Sequence, residues 1–321
     1  TRVYRDMSVA DIAGEVAQRL SLRAEVSGLN SPSATWVQFN ESDLAFVSRL
    51  MEHDGIFFYF EHTADGHTLV MLDDPKTLVP WPDYETQTLL SATGQGEGIV
   101  HLNPSAAARI TRVELDDVNP EQPALDLASA AGVTRRGESC ATRIDYPGGY
   151  TDPAAGAARA AIRLDAERVG HVSANGTAVS RGISVGHRFA IFDHPGFGDG
   201  AQLVPVETLT VLQAGPPSAA GPELVIADMH CELTTSPADQ PMPLPGVERH
   251  PDLRGPHTAT VVGPEGETVH VDAAGRVQVR FHWLRRALSG ARAVVSAWMT
   301  LEPTPYTPQS PERWFVRWPP T

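Results

Sequence analysis

The aromatic run at residues 56–60 limits what this chain can fold into. It reads Ile-Phe-Phe-Tyr-Phe, so a strand built from it carries apolar side chains on both faces. Such a strand must be covered twice, because large exposed apolar areas are rare on monomeric proteins. We expect the preceding helix to cover one face and a second sheet or another subunit to cover the other. The candidate packing or assembly residues are Phe57, Phe58, Tyr59 and Phe60.

The residues on either side of this run predict a helix-plus-hairpin unit. Asn40 is a favourable helix N-cap, and Gly55 supplies the left-handed conformation that ends many helices. Apolar residues at three- and four-residue spacing predict one buried helix face; they are Leu44, Val47, Leu50 and Met51. The polar residues are predicted to point away from that face; they are Ser42, Ser48, Arg49 and Glu52. A turn at 64–66 and a second strand at 67–72 complete the unit.

Composition predicts a mainly β chain with a few packing helices. The 321 residues suffice for two or three domains, and the 27 glycines and 27 prolines favour many short strands joined by turns. Ser8 with Asp11 predicts the start of a first helix. Asp152 and Pro153 predict the start of another, whose alanines, Ala157 and Ala161, would let a sheet approach closely. Strands are predicted at 186–192, 201–211 and 223–233.

A proline-rich stretch at 236–257 predicts a domain boundary. Its six prolines disfavour both helix and interior strand, so we expect a semi-rigid linker between a first domain at 1–235 and a second at 258–321. Strict alternation at 276–283 predicts a one-sided strand at the start of an OB-type barrel. Its apolar residues are further candidates for packing or assembly; they are Val277, Val279, Phe281 and Trp283.

Charge and motifs argue against several functional classes. The formal charge of −14 disfavours nucleic-acid binding, and no apolar run of 18 residues predicts a membrane span. Cys140 and Cys231 form no metal-binding motif, and we expect two buried free thiols. The 12 histidines follow no metal-binding spacing, and no nucleophile motif occurs. We therefore expect no metal, no cofactor, no stable membrane insertion and no enzymatic activity.

Two groups of motifs resemble VgrG, the valine-glycine-repeat protein G family at the tip of bacterial type VI secretion systems. The first is NESDL, FVSRL, GIF and YFEH at 40–44, 46–50, 55–57 and 59–62. The second is TATVVG, GRV and FHW at 258–263, 275–277 and 281–283. Tailed-phage baseplate hub proteins are similar with lower specificity.

The resemblance implies a partial, phage-hub-like β-barrel domain followed by an OB-type barrel. It also implies a homotrimer with a pseudo-sixfold hub, seated on the inner tube of a contractile apparatus. The spike would carry a spike-tip cap protein and effectors. Such a protein is cytoplasmic during assembly and is then delivered into the target cell or the medium. The alternative within the resemblance is a phage tail baseplate hub.

The chain departs from the family pattern at both ends. The resemblance implies an upstream barrel segment before Thr1, and residues 287–321 do not follow the family's barrel strands and repeats. A truncated or frame-shifted gene and a divergent tail are both open hypotheses for that tail. In the family a threefold β-helix would clamp the copies together. Because this sequence does not show that β-helix, we expect this chain to be monomeric or weakly associated.

Two other functional classes remain open. An OB-type barrel can bind oligosaccharides or single-stranded nucleic acid, and the candidate contacts are Arg276, Arg280, His282 and Trp283. A hydrolase with unfamiliar catalytic groups is the other class, and a screen for glycosidase and peptidase turnover tests it.

Overall fold

A computed structural model describes residues 2–27, 34–91, 96–119, 121–133, 141–214, 226–244, 258–264, 270–272, 275–282, 297–302 and 315–317. In chain order the described elements are β1 Arg2–Met7, α1 Val9–Arg19, β2 Arg23–Ser27, β3 Ala34–Gln38, α2 Asp43–Asp54, β4 Phe57–Thr63, β5 Gly66–Leu72, β6 Thr86–Thr88, β7 Gly98–Ala106, β8 Arg112–Leu115, β9 Ser129–Gly132, β10 Thr142–Asp145, α3 Pro153–Arg168, β11 Val172–Val179, β12 Phe189–Phe192, β13 Ala201–Ala214, β14 Ile226–Pro237, β15 Ala259–Val261, β16 Val277–Phe281, β17 Ala297–Glu302 and β18 Phe315–Arg317, with one 3₁₀ turn at Pro75–Thr77. The predicted class, mainly β with a few packing helices, is confirmed.

Local capping chemistry determines where the helices begin. The predicted capping box of α1 is confirmed, since the Asp11 backbone N–H donates to Ser8 Oγ at 3.1 Å and the Ser8 backbone N–H donates to Asp11 Oδ2 at 3.3 Å. The predicted cap of α2 is wrong. Ser42, rather than Asn40, accepts from the Ala45 backbone N–H, at 3.1 Å, because Asn40 lies in a turn with φ of 50°.

The buried face of α2 is shifted from the predicted one. Phe46, Leu50 and Met51 are fully buried, whereas Leu44 is 59% exposed. Leu44 lies in the first turn of the helix, and more than half of it remains accessible to solvent. The end of the helix is as predicted, with Gly55 in the left-handed conformation.

The β4–β5 hairpin lies between two cores. β5 pairs with β4 on one side and with β2 on the other, giving the order β2-β5-β4. The first core holds α1, α2 and one face of the hairpin, including Ile56 and Met71. The second core holds the opposite face, including Phe57 and Tyr59. Both faces of the aromatic strand therefore pack within one chain, except at Phe60, which is 38% exposed.

A curled sheet forms the largest layer, with the order β6-β12-β13-β14-β11-β7. Its two outermost strands approach each other, since Leu89, just after β6, bridges Ile99 of β7. The curl encloses a core that includes Ile191, Leu203 and Leu233.

The third helix packs on a separate sheet with the order β10-β8-β9. The prediction that small residues let a sheet approach is confirmed, but they are Gly156 and Ala160 and not Ala157 and Ala161. A Cβ added to Gly156 would lie 2.3 Å from Ser129 Oγ of β9.

The start of the predicted linker belongs to the first domain. β14 continues to Pro237, and Ala238 and Met242 are buried in the second core. Residues 245–257 of the predicted linker lie outside the described residues, so the domain boundary stays a prediction. The second domain contains an antiparallel sheet with the order β15-β16-β17-β18. β17 and β18 lie in the stretch that the family pattern did not predict.

The remaining expectations concern the two cysteines and membrane-spanning helices. Cys231 is a buried free thiol, as expected, and Cys140 lies outside the described residues. Among the helices of the described ranges, none is both long and apolar enough to span a membrane.

Candidate assembly surface

The inner face of β4 is a packing face. Phe57 and Tyr59 are only 7% and 8% exposed, and they pack with Val204 of β13 and with Met242. These two candidates are thus buried against the curled sheet of the same chain. Packing within the chain accounts for their aromatic character.

The outer face of β4 borders an apolar groove. Phe58 is half-buried against the core of α1 and α2, and Phe60 is 38% exposed. Their rings contact edge to face with centroids 5.7 Å apart. Leu20, directly after α1, and Leu44 of α2 also line the groove. Their exposed fractions are 54% and 59%. We define Leu20, Leu44 and Phe60 as the candidate assembly surface.

A buried ion pair supports the start of α2 beside this surface. Arg49 Nη2 donates to Glu41 Oε1 at 2.8 Å and to the Val37 carbonyl at 2.9 Å. Sequence spacing placed Arg49 on the exposed face, but its side chain is only 9% exposed. Its guanidinium also lies 5.4 Å from the centre of the Phe46 ring. The Glu41 carboxylate compensates for part of the free-energy cost of burying the Arg49 guanidinium.

A second charged group lies at the N-terminus of α2. Asp43 accepts from Gln38 at 2.7 Å and from Arg2 at 3.1 Å, and Arg19 lies 3.5 Å away. Burial alone would raise the pKa of Asp43, but the hydrogen bond from Gln38 and the charges of Arg19 and Arg2 lower it overall. This carboxylate therefore links β1, β3 and both helices.

Arg159 of α3 joins the third helix to the end of α2. Its guanidinium donates to the His53 carbonyl at 2.9 Å and contacts the His53 ring, whose Nδ1 lies 2.7 Å from Asp54 Oδ1. Burial lowers the pKa of Arg159 to about 10, with Asp54 opposing that shift and Arg163 adding to it. Burial is also the main cause of a lowered pKa at His53. Sequence reasoning missed this joint, since the two partners are separated by 106 residues.

Tyr59 and His187 form an aromatic contact between the hairpin and the curled sheet. The His187 ring lies 5.8 Å from the Tyr59 ring and 4.6 Å from the Trp81 ring. Burial lowers the pKa of His187, while its contact with the Val79 carbonyl opposes that shift. Burial and the Glu61 carboxylate raise the pKa of Tyr59 to about 12.

Acidification is expected to destabilise the first domain through His53 and His187. Both folded-state pKa values lie below the ordinary 6.5, so the unfolded chain binds protons first as the pH falls. The free energy of unfolding should therefore decline as the pH drops from above 6.5 towards the lowered folded values. Urea denaturation at pH 7.5, 6.5 and 5.5 measures this slope.

Substitution of His53 and His187 tests whether these two residues cause the pH dependence of the free energy of unfolding. A double His53→Gln, His187→Gln variant should show a flatter dependence on pH. The control is His101→Gln, because His101 is exposed and should leave the slope unchanged. An identical slope in the wild type and the double variant would contradict the assignment.

The second-domain candidates divide into packed and polar residues. Val279 is buried and Val277 and Phe281 are half-buried, while Trp283 lies outside the described residues. Arg276 Nε donates to Asp272 Oδ2 at 2.5 Å, and Arg280 is exposed. The His282 ring nitrogens lie 2.8 and 3.0 Å from the hydroxyls of Thr258 and Thr260. Two of the candidate ligand contacts therefore already have protein partners.

An acidic cleft lies between α2, β5 and α3. Its volume is about 410 Å³, and it is lined by Asp54, Asp73, Asp74 and Asp165. Burial raises the pKa of Asp165. The lining contains no serine, cysteine, histidine or lysine, so this cleft holds no nucleophile beside its carboxylates. Within the described ranges, no three His, Cys, Asp or Glu side chains converge as metal ligands.

Comparison with known proteins agrees with this architecture. The type VI secretion system spike protein VgrG1b of Pseudomonas aeruginosa is 29% identical over 308 residues, which is 93% of this chain and 41% of the relative. The actin cross-linking toxin VgrG1 of Vibrio cholerae is 27% identical over 302 residues, which is 89% of this chain and 26% of that protein. The chain thus spans less than half the length of these two relatives.

Solved structures and family models extend the comparison. The Escherichia coli c3393 protein is described as a type VI secretion system component with structural similarity to the T4 bacteriophage tail proteins gp27 and gp5. It matches with a TM-score of 0.61 and 16% identity over 98% of this chain and 72% of that one, which shows a shared fold. The family model described as phage tail baseplate hub (GPD) matches residues 1–214. Because that model covers more than half of the chain, the chain belongs to the phage tail baseplate hub (GPD) family.

Proposed function

We propose that this chain is the hub portion of a type VI secretion system spike protein. The carrying observation is that the hub family model covers residues 1–214, which include the first core and five of the six strands of the curled sheet, while a named spike protein aligns with 93% of the chain. In this role the chain supplies a rigid shape between an inner tube and a puncturing spike.

The proposed partners follow from that role. Copies of the whole protein form a homotrimer with a pseudo-sixfold hub, which contacts the inner-tube protein and carries a spike-tip cap protein and effectors, whereas this portion alone is monomeric or weakly associated. The exposed apolar side chains of Leu20, Leu44 and Phe60 support an assembly contact beside β4. The protein assembles in the cytoplasm and is delivered into the target cell or the medium.

We also propose that this portion is not an enzyme. The acidic cleft contains four carboxylates, and its lining includes no serine, cysteine, histidine or lysine to act beside them. The name of the Vibrio cholerae relative describes an actin cross-linking toxin, and this chain corresponds to 26% of that protein. We propose that the shared portion is its hub.

A phage tail baseplate hub is the second candidate function. The observation that favours it is the description of the matching family model itself. Both candidates use the same fold, so the distinction depends on the apparatus in which the protein is assembled.

Deletion and complementation of the gene that encodes this chain test the proposal. Deletion should abolish export of the inner-tube protein into the medium, and the intact gene should restore it. A Leu44→Asp, Phe60→Asp variant should restore export about tenfold less well, because charges would have to be buried in an apolar contact.

The matched control is Val118→Asp, since Val118 is 51% exposed and lies outside the groove. Equal melting temperatures of the purified variants would show that the loss concerns assembly and not folding. Unchanged export after deletion would contradict the secretion role. Loss of phage particles in its place would favour the second candidate.

A further inference from the structure

Two histidines face each other beside the turn of the β4–β5 hairpin. His62 and His67 are directly opposite in the strand register. Their Nδ1 atoms lie 2.7 Å apart, and the ring centroids are 4.7 Å apart with planes at 77°. Both residues are exposed. The two nitrogens therefore converge on one point that is accessible from solvent.

We propose that His62 and His67 form a two-histidine binding site for a divalent transition metal ion. Imidazole nitrogen is a preferred ligand of Zn²⁺, Ni²⁺ and Cu²⁺. Metal–nitrogen bonds of about 2.0–2.1 Å would place the two ligand atoms about 2.9 Å apart at a right angle and about 3.3 Å apart at a tetrahedral angle. The rings have to separate by only a few tenths of an ångström to reach the first geometry.

The hairpin holds the two rings in place before any ion arrives. The strands are joined by a tight turn, and Thr63 Oγ1 donates to the Gly66 carbonyl at 3.2 Å. The Phe60 ring stacks near His62, with centroids 6.3 Å apart and planes at 20°. This arrangement lowers the ordering cost of binding, because both ligands come from adjacent positions of one rigid unit.

The protons balance without an additional acid or base. At neutral pH one ring donates its Nδ1–H to the lone pair of the other. When the ion binds both Nδ1 atoms, the donating ring becomes the Nε2–H tautomer and stays neutral. Water supplies the remaining coordination positions, because no third His, Cys, Asp or Glu of the described residues joins the pair as a ligand.

Titration of the untagged protein with NiCl₂ and, separately, ZnCl₂ at pH 7.5 tests the proposal. Isothermal titration calorimetry should detect one equivalent bound per chain. His62→Ala and His67→Ala should each weaken that binding at least about tenfold, since each removes one of two ligands. The control His101→Ala removes a single exposed histidine of β7 and should bind as the wild type does.

Two further measurements make the result decisive. The hairpin variants should keep the melting temperature of the wild type without metal, and only the wild type and the His101→Ala control should be stabilised by added Ni²⁺. Absence of one-equivalent binding at millimolar metal, or its survival in both hairpin variants, would overturn the proposal.

Discussion

Replacement of Phe46 by alanine is expected to lower the free energy of unfolding by about 4 kcal/mol. The side chain is fully buried in the core between α1 and α2, and its ring stacks on Tyr4 with centroids 5.3 Å apart. The truncation removes this contact and leaves a cavity beside the Arg49 guanidinium. Urea denaturation followed by Trp36 fluorescence measures the change, because Trp36 belongs to the same core.

Leu44→Ala is the matched control on the same helix. Leu44 is 59% exposed, so its truncation should change the free energy of unfolding by only about 0.5 kcal/mol. Comparable losses in the two variants would show that the buried face of α2 is not the one that the structure places there.

Gly176→Ala is expected to cost about 3 kcal/mol of stability. A Cβ at this position of β11 would lie 2.0 Å from the His101 carbonyl oxygen and 2.9 Å from the Leu102 Cα of the neighbouring strand β7. These are backbone atoms, so relief requires the two strands of the curled sheet to separate. Thermal unfolding followed by circular dichroism measures the loss.

Gly14→Ala is the control for that substitution. Gly14 lies inside α1, and an added Cβ would have no neighbour within 4 Å. Alanine there should stabilise the protein by up to about 1 kcal/mol, because it restricts the unfolded chain and favours the helix. The two glycine substitutions should thus have opposite signs, and a loss of stability in both would contradict the described packing.

Sequence predicts this fold best where a few adjacent residues decide the conformation. Ser8 with Asp11, Asp152 with Pro153, and Gly55 each act within one helical turn, and the structure confirms all three. The hairpin was predictable for the same reason, since an aromatic run and a tight turn are both local signals.

Prediction fails where distant partners decide. β7 and β11 were not predicted, because β11 reads VSANGTAV and owes its strand conformation to pairing with β7 and β14. Arg49 was assigned to the exposed helix face, yet Glu41 and the Val37 carbonyl bury it. The contact between Arg159 and His53 likewise depends on tertiary placement of two helices.

The candidate site was predictable only in outline. The aromatic strand identified the right region, but its alternation does not reveal which face the chain itself covers. That distinction follows from the approach of Val204 and Met242 to Phe57 and Tyr59. Phe60 stays an assembly candidate because it is 38% exposed, whereas Phe57 and Tyr59 are 7% and 8% exposed.

The position of the β4–β5 hairpin between two cores has a mechanical consequence. Its odd and even side chains are anchored in different layers, so the helical layer and the curled sheet cannot tilt independently without breaking close packing. A load applied to the helices is therefore transmitted to the sheet through close packing, which suits the proposed position of the hub between an inner tube and a spike.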